Sequence, residues 1–288
     1  DVVETAKALE MYKSKLLSVA AGRSITAICT VDGKLFTCGG GKQNLHGLGF
    51  GLGHGGGEDA QELSPRLVEA LVGRKLVGVS AGDYHTAAWT EEGELFTFGL
   101  GDYGRLGHGG TENELVPRLV EALVGKMVVG VAAGDRHTAV WTEVGELFTF
   151  GAGYYGNLGH GGQENEHVPR LVEALAGKKV IGAAAGCNDT TEWTDEGQLF
   201  TFGAGGNGQL GHGGTQDELV PRLVQALAGK KVIGASAGHL HTAVWTDDGE
   251  LFTFGLGENE RLGHGGEQNQ LVPRLVEALV GKTVIGVS

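Results

Sequence analysis

Apolar residues along the chain form short runs separated by glycine-rich turns, and this arrangement predicts β-strands. Within residues 127–178, the apolar run MVVGVAAG, the segment HTAVWT and the alternating segment ELFTFG each end at a turn signal. The fourth segment, VPRLVEAL, contains a proline, so we expect it to form an edge strand, where a missing N–H is tolerated. Four short segments of this kind indicate an all-β fold rather than helices.

The same pattern occurs five times along the 288 residues. Leu-Gly-His recurs every 52 residues, and Val-Pro-Arg and Leu-Phe-Thr-Phe-Gly keep that spacing, whereas the first unit carries eight extra residues around positions 42–63. We place five complete repeats at about 16–75, 76–127, 128–179, 180–231 and 232–283, with 284–288 starting a further unit. Four strands per unit at this period predict the blades of a β-propeller.

The motifs AGDRHTAVW, GELFTFG, GxLGHGG and VPRLVEAL resemble the repeat of the regulator-of-chromosome-condensation family, also called the RCC1-like domain. The resemblance covers essentially the whole chain, and it is specific because several motifs recur in fixed order. It implies a single β-propeller of four-stranded antiparallel blades. Members of the family usually form seven blades, so we expect residues 1–288, including the partial terminal strands, to be a segment of a seven-bladed ring.

Residues 99–104 fit the pattern G-x-G-x-x-G, which also describes loops that bind a dinucleotide pyrophosphate. The pattern recurs at 151–156 and 203–208, and the fourth counterpart has Glu260 in place of the last glycine. A dinucleotide site needs a helix after this loop, but here Leu-Gly-His-Gly-Gly and another strand follow. We therefore interpret the glycines as parts of blade loops that need positive φ, and we expect no cofactor.

Charge and cysteine content exclude several classes of protein. The formal net charge is −13 and no run of Lys or Arg is present, so phosphate neutralisation, and with it nucleic-acid binding, is not expected. No apolar run is long enough to span a membrane. The three cysteines form no CxxC motif, which argues against zinc and against a disulfide framework. We expect an intracellular protein, in the cytoplasm or nucleus.

Histidines recur once per repeat, which favours a structural role over catalysis or metal binding. One set lies in Leu-Gly-His and bonds, in this interpretation, to a loop carbonyl; the other precedes Thr in the second strand, as His137 does. The four Trp residues share one strand position that Cys29 occupies in the first unit, and Cys38 replaces a recurring Phe. We expect these residues to pack between blades, with both cysteines buried. Because neither a nucleophile motif nor a distinct carboxylate pair is present, no enzymatic activity is predicted.

The repeats differ most in two loop sets, which a meander places on one face. These loops carry an excess of acidic residues, and exposed Tyr, Arg and Asn side chains on a rigid ring are typical of protein recognition. The predicted partner-binding residues are Asp83, Tyr84, Asp102, Tyr103, Arg105, Asp135, Arg136, Tyr154, Tyr155, Asn157, Asn188, Glu192, Asn207, His239, Glu258, Asn259 and Arg261. The longer loop of the first unit is a further candidate for a specialised contact.

Glu192 is the one member of this set that lies inside a strand. The fourth unit reads Asp-Thr-Thr-Glu-Trp where others read His-Thr-Ala-Val-Trp, and an unpaired carboxylate between blades is costly. We therefore expect Glu192 to be paired, to reach solvent or to meet a partner.

The predicted function is a non-enzymatic interaction scaffold or complex subunit that binds a protein, with a basic partner favoured by the acidic face. The alternative, which the founding family member suggests, is a guanine-nucleotide exchange factor for a small GTPase. That alternative ranks lower because the short loops show no clear equivalent of a protruding exchange wedge.

Overall fold

The computed structural model describes residues 15–40, 50–56 and 60–287. Within them the chain forms five four-stranded antiparallel sheets, each built from four strands consecutive in sequence. Blade 1 contains β1 (Leu16–Ala21), β2 (Ile25–Thr30), β3 (Leu35–Gly40) and β4 (Gln61–Leu67). Blade 2 contains β5 (Leu76–Ala81), β6 (His85–Thr90), β7 (Leu95–Gly99) and β8 (Glu114–Leu119). Blade 3 contains β9 (Val128–Ala133), β10 (His137–Thr142), β11 (Leu147–Gly151) and β12 (Glu166–Leu171).

Blades 4 and 5 repeat the same order of strands. Blade 4 contains β13 (Val180–Ala185), β14 (Asp189–Thr194), β15 (Leu199–Gly203) and β16 (Glu218–Leu223). Blade 5 contains β17 (Val232–Ala237), β18 (His241–Thr246), β19 (Leu251–Gly255) and β20 (Gln270–Leu275). The helical segments in the described ranges are one-turn 3-10 helices at Phe50–Leu52, Glu69–Leu71, Asp102–Gly104, Glu121–Leu123, Tyr154–Gly156, Glu173–Leu175, Gln225–Leu227, Glu258–Glu260 and Glu277–Leu279.

The first strands of neighbouring blades contact one another, β1 with β5, β5 with β9, β9 with β13 and β13 with β17. They therefore lie at the inner side of the arrangement, and the fourth strands, which hold the prolines, form the outer edges of the sheets. The predicted all-β propeller of four-stranded blades is confirmed. The prediction that VPRLVEAL forms an edge strand is confirmed for VPRL and wrong for the rest of the segment, where Glu-Ala-Leu forms a 3-10 helix. In the described part of the chain no helix is long and apolar enough to cross a membrane.

The hydrophobic core lies between blades rather than within one. Between blades 2 and 3, for example, Leu95, Val120 and Leu123 pack against Val140 and Phe148. Each Trp lies over a glycine of the first strand: a Cβ at Gly78 would be 2.1 Å from Cζ2 of Trp89. Cys29 is buried as predicted. Cys38 is only half-buried, so that prediction was wrong for the second cysteine.

Hydrogen-bond relays join successive blades. His85 Nε2 lies 2.8 Å from the Thr138 hydroxyl, which itself donates to the Arg105 carbonyl at 2.8 Å. Since that hydroxyl has one proton to give, His85 must be the donor to Thr138. Burial lowers the pKa of His137, which makes the same contact to Thr190, to about 4, so this histidine is neutral at pH 7.

The second histidine set has an equally structural role. Nε2 of His108 lies 2.9 Å from the Thr97 hydroxyl, which donates to the Leu106 carbonyl at 2.6 Å. The structural interpretation of the histidines is confirmed, but the predicted partner was wrong: the imidazole contacts a threonine hydroxyl that lies between it and the loop carbonyl. Each relay thereby fixes the long loop against the third strand of its own blade.

Glycine occupies positions in the long loops that no other residue fits without strain. Gly99 and Gly104 have φ values of +121° and +83°. A Cβ at Gly101 would lie 1.9 Å from the Glu112 carbonyl oxygen. The G-x-G-x-x-G pattern is thus explained by turn geometry and close backbone approach, as predicted. Much of the longer first-unit loop, residues 41–49 and 57–59, lies outside the described residues.

Candidate partner-binding face

Two loop sets share one face of the molecule. The loops between first and second strands and the loops between third and fourth strands form what we call the loop face, and the remaining turns and the connections between blades form the turn face. At the middle of the loop face is a depression of about 330 Å³ lined by the Ala-Gly loops of all five blades. The residue after each Ala-Gly differs between blades, and in chain order these residues are Arg23, Asp83, Asp135, Cys187 and His239.

Asp83 and Asp135 give this depression its electrostatic character. Burial and the neighbouring Asp135 raise the pKa of Asp83, and Arg23, 3.8 Å away, opposes that shift. The Cys187 thiol lies 3.5 Å from the Asp135 carboxylate, and burial together with that carboxylate raises the pKa of Cys187 to about 12. Cys187 is therefore a protonated thiol and a poor nucleophile at neutral pH. Within the described ranges no group of three or more His, Cys, Asp or Glu is placed to hold a metal ion.

A row of aromatic and cationic side chains crosses the loop face from blade 1 to blade 3. Arg23 donates to the Tyr84 hydroxyl at 2.7 Å, and the Arg105 guanidinium lies 5.8 Å from the Tyr84 ring centre and 5.6 Å from that of Tyr103. Tyr103 meets Tyr154 edge to face at 5.6 Å. A hydrogen bond with Tyr103 raises the pKa of Tyr154. The row brings together four of the predicted residues and adds Arg23, which was not in the predicted set.

Tyr103 and Tyr155 have left-handed backbone conformations, with φ of 65° and 60°. Such values are uncommon for bulky residues and cost free energy. Each tyrosine is followed by a glycine of positive φ, so the pair forms a tight turn that lifts the aromatic side chain outward. Tyr155 is 46% exposed. Asn259 has the same conformation at the equivalent position of blade 5, with φ of 59°.

Most of the predicted residues lie at the loop-face surface. The exposed ones are Asp102, Tyr155, His239, Glu258 and Asn259. The half-buried ones are Asp83, Tyr84, Tyr103, Asp135, Arg136, Tyr154, Asn188, Asn207 and Arg261. Arg23 and Cys187 also lie on this face but were not predicted. Each follows an Ala-Gly pair, so choosing every residue that follows Ala-Gly would have included both.

Three predicted residues, Arg105, Asn157 and Glu192, are buried. The expectation that Arg105 and Asn157 are exposed was wrong. Arg105 is 2% exposed because its guanidinium donates to the carbonyls of Asp102 and Asp135 beneath the tyrosine rings. Asn157, which is the blade 3 equivalent of Arg105, is fully buried. The Thr190 hydroxyl of blade 4 donates to the backbone carbonyl of Asn157 and fixes this loop against blade 4.

Glu192 lies inside β14, fully buried, and neither carboxyl oxygen has a hydrogen-bond partner. The expectation that it would be paired, solvated or in contact with a partner is contradicted. Burial raises the pKa of Glu192 to about 8, so the side chain is largely protonated at pH 7 and the cost of a buried charge is avoided.

Comparison with known proteins assigns residues 4–288 to the RCC1-like domain model. The human E3 ubiquitin-protein ligase HERC2 is 40% identical over 238 residues, which cover 80% of this chain and 5% of HERC2. The ultraviolet-B receptor UVR8 of Arabidopsis thaliana is 36% identical over 238 residues, covering 82% of this chain and 54% of UVR8. The chain thus spans a small part of the first relative and about half of the second.

Among solved structures, human WBSCR16 superposes with a TM-score of 0.80 at 26% identity, covering 91% of this chain and 67% of the other. Prp20p from Saccharomyces cerevisiae, a protein characterised for its binding to Gsp1p and histones, superposes with a TM-score of 0.81 at 20% identity, covering 93% and 64%. These likenesses support the propeller architecture described above.

Proposed function

Because this chain belongs to the RCC1-like domain family, we propose that it is a non-enzymatic protein-interaction module whose loop face binds a protein partner. The observation that carries the proposal is the pair of tyrosines, Tyr103 and Tyr155, that are presented on this face from left-handed turns. Strained conformations of bulky residues concentrate at functional sites, where the surrounding structure holds them. Tyr is also among the residues that contribute most to protein–protein binding.

The charge of the loop face favours a basic partner segment. Asp83, Asp102 and Asp135 lie around the row of aromatic side chains, and the depression beside them is lined by two of these carboxylates. A cationic side chain would be steered to this region and would meet aromatic rings as well as carboxylates. Arg105 shows, within the molecule, that a guanidinium fits between two tyrosine rings here.

The proposal is tested by capturing partners from native extract with the wild-type chain and with Tyr103→Asn/Tyr155→Asn. Asn is the residue at the equivalent positions 207 and 259, and it tolerates positive φ better than Tyr, so the variant removes the rings without adding strain. The matched control changes the turn face at Val124→Asn/Val144→Asn, where both side chains are exposed. A partner lost only from the tyrosine variant supports the proposal, whereas a partner lost only from the control assigns binding to the turn face.

Guanine-nucleotide exchange on a small GTPase is the second candidate. It is favoured by the shared fold with Prp20p, which is characterised for binding to Gsp1p. If the captured partner is a small GTPase, the rate of release of a fluorescent nucleotide with and without this chain distinguishes exchange from simple binding. An unchanged release rate would leave binding as the activity of the loop face.

A further inference from the structure

Glu192 is surrounded by apolar side chains from two blades. It lies opposite Ala183 of β13 and Phe200 of β15, and opposite residues of antiparallel strands share one face of the sheet. That face packs against blade 3, where Leu147, Val172 and Leu175 belong to the same apolar cluster as Ala183 and Phe200. Glu192 therefore occupies a core position between blades 3 and 4, the position that Val140 occupies between blades 2 and 3.

A second substitution in the same unit accompanies Glu192. At three other junctions a basic residue of the connection pairs with a glutamate at the start of the next blade's third strand: Arg74 with Glu94 at 2.7 Å, Lys126 with Glu146 at 2.8 Å, and Lys230 with Glu250. At the junction of blades 3 and 4 the glutamate is replaced, and Lys178 instead donates to the Gln198 amide oxygen at 2.7 Å. This unit lacks the glutamate before its third strand, although Glu196 lies 3.9 Å from Lys178, and it has a carboxyl group in the core.

Lys178 and Glu192 are separated by a single aromatic ring. The Lys178 ammonium lies 5.9 Å from the ring centre of Phe200, the residue directly opposite Glu192. Phe200 is half-buried, as is its counterpart Phe252, whereas Phe96 and Phe148 are buried. A groove of about 410 Å³ on the turn face has Lys178 in its wall together with Leu147 and Leu175, which belong to the same apolar cluster as Phe200. The groove thus lies at the edge of the cluster that contains Glu192's neighbour Phe200.

We propose that the junction of blades 3 and 4 has two arrangements that differ by one proton. In the first, closed arrangement, neutral Glu192 is buried between the two blades. In the second, ionised Glu192 passes Phe200 and pairs with Lys178 at the groove, and the junction is loosened.

The charged and titratable groups around Glu192 come from the turn face. The connection before blade 4 supplies Lys178 and Lys179, and the turn between β14 and β15 supplies Asp195 and Glu196, which lies 3.9 Å from Lys178. Blade 3 contributes the apolar residues of this contact and, in the wall of the groove beside Lys178, Glu146 and Glu173. Burial raises the pKa of Glu192 to about 8 and Lys178 opposes the rise, so the carboxyl group in the closed arrangement ionises near pH 8.

The test is amide hydrogen exchange of the full chain between pH 6 and 9, corrected for the intrinsic dependence of exchange on pH. Because opening releases one proton, protection in β13 and β14 should fall about tenfold per pH unit below the pKa of Glu192. Protection in β5 and β6 of blade 2, the internal reference, should not follow this slope. Glu192→Gln, which imitates the protonated side chain, should abolish the slope, and Glu192→Val serves as a second variant if the first folds poorly.

Two further variants isolate the role of Lys178. Lys178→Met removes the partner of the ionised carboxylate, so opening should be at least tenfold weaker at pH 8 than in the wild type. Gln198→Glu restores the ion pair found at the three other junctions. It should also suppress opening, because Lys178 then pairs with the carboxylate at position 198. A slope that persists in Glu192→Gln, or that neither Lys178→Met nor Gln198→Glu changes, would overturn the proposal.

Discussion

Blades 3 and 4 have the same strand register but different residues in their second strands. Strand β10 pairs His137 with Gly151 and Trp141 with Leu147, and β14 keeps this register with Asp189 opposite Gly203 and Trp193 opposite Leu199. Among the described residues, one buried side-chain atom of β10 lacks a hydrogen-bond partner, Nδ1 of His137. In β14 such atoms occur on Asp189, Thr191 and Glu192. Turns and flanking strands maintain the register, so the residues of the second strand can vary. The side chains of that strand then determine the stability of the contact between neighbouring blades.

The largest expected difference between the two blades is in pH dependence. Burial raises the pKa of Asp189 and of Glu192 to about 8, well above the values in an unfolded chain. Folding favours the protonated form of both carboxyls. Their contribution to the free energy of unfolding is therefore greatest below pH 4 to 4.5, and it is lost as the pH rises toward 8. We expect a loss on the order of 5 kcal/mol between pH 5 and 8 from the two carboxyls together.

Urea unfolding at a series of pH values measures this loss. The double variant Asp189→His/Glu192→Val, which gives β14 the residues of β10 at both positions, should remove most of the alkaline decline. A decline of the same size in the double variant would show that other groups cause it.

Replacing Glu192 alone by Val should raise the free energy of unfolding by about 3 kcal/mol at pH 7, because the cost of keeping this carboxyl protonated is removed. The reciprocal change Val140→Glu, at the same position of blade 3, should lower it by a similar amount. Both are measured by urea unfolding at pH 7. If Glu192→Val destabilised the protein, the carboxyl would have a stabilising partner and the account of blade 4 would be wrong.

Restoring the interblade relay of blade 4 should have an effect of similar size. Asp189→His places an imidazole where His85 and His137 reach a threonine of the next blade at 2.8 and 2.9 Å, and here that threonine is Thr242. We expect a gain of about 4 kcal/mol at pH 7, mostly from the lost carboxyl and partly from the new hydrogen bond. His137→Asp in blade 3 is the matched control and should be destabilising. Equal unfolding midpoints for all three proteins would contradict this interpretation.

The smallest predicted effect concerns a loop of blade 5. Glu260 has φ of 57° where Gly104, Gly156 and Gly208 stand in the other blades. Glu260→Gly should raise stability by about 0.5 kcal/mol, since relief of left-handed strain is partly offset by the greater freedom of glycine in the unfolded chain. Gly156→Glu should cost more than 1 kcal/mol, because a Cβ there would lie 2.5 Å from the Leu219 Cα. Thermal unfolding of the two variants checks both signs.

The sequence predicted the architecture well because the information is repeated. Strands, turns and the outer edge strand follow from spacing that recurs five times, and the positions of the glycines report backbone needs directly. The candidate face was chosen because differences between repeats concentrate in its loops, and its role in binding stays a prediction. What the sequence did not reveal is the direction of single side chains. Arg105 and Asn157 vary between repeats as surface residues do, yet both point inward.

Glu192 was misjudged for another reason. A carboxyl in a core position was assumed to need a partner, but protonation allows it to be buried without one. Position 198 signalled that the environment of Glu192 is unusual. Glutamine stands there in place of the glutamate that three other repeats have before their third strand. Recognising it required the contact between Lys178 and Gln198, which joins positions distant in sequence.

The central claim, that tyrosines of the loop face bind a protein partner, is tested most directly by the dissociation constant of the captured partner for wild type and for Tyr103→Asn/Tyr155→Asn. We predict at least a hundredfold weaker binding for the variant, because two aromatic anchors are removed, with no loss of thermal stability. Val124→Asn/Val144→Asn on the turn face should bind as the wild type does. An unchanged dissociation constant in the tyrosine variant would contradict the claim.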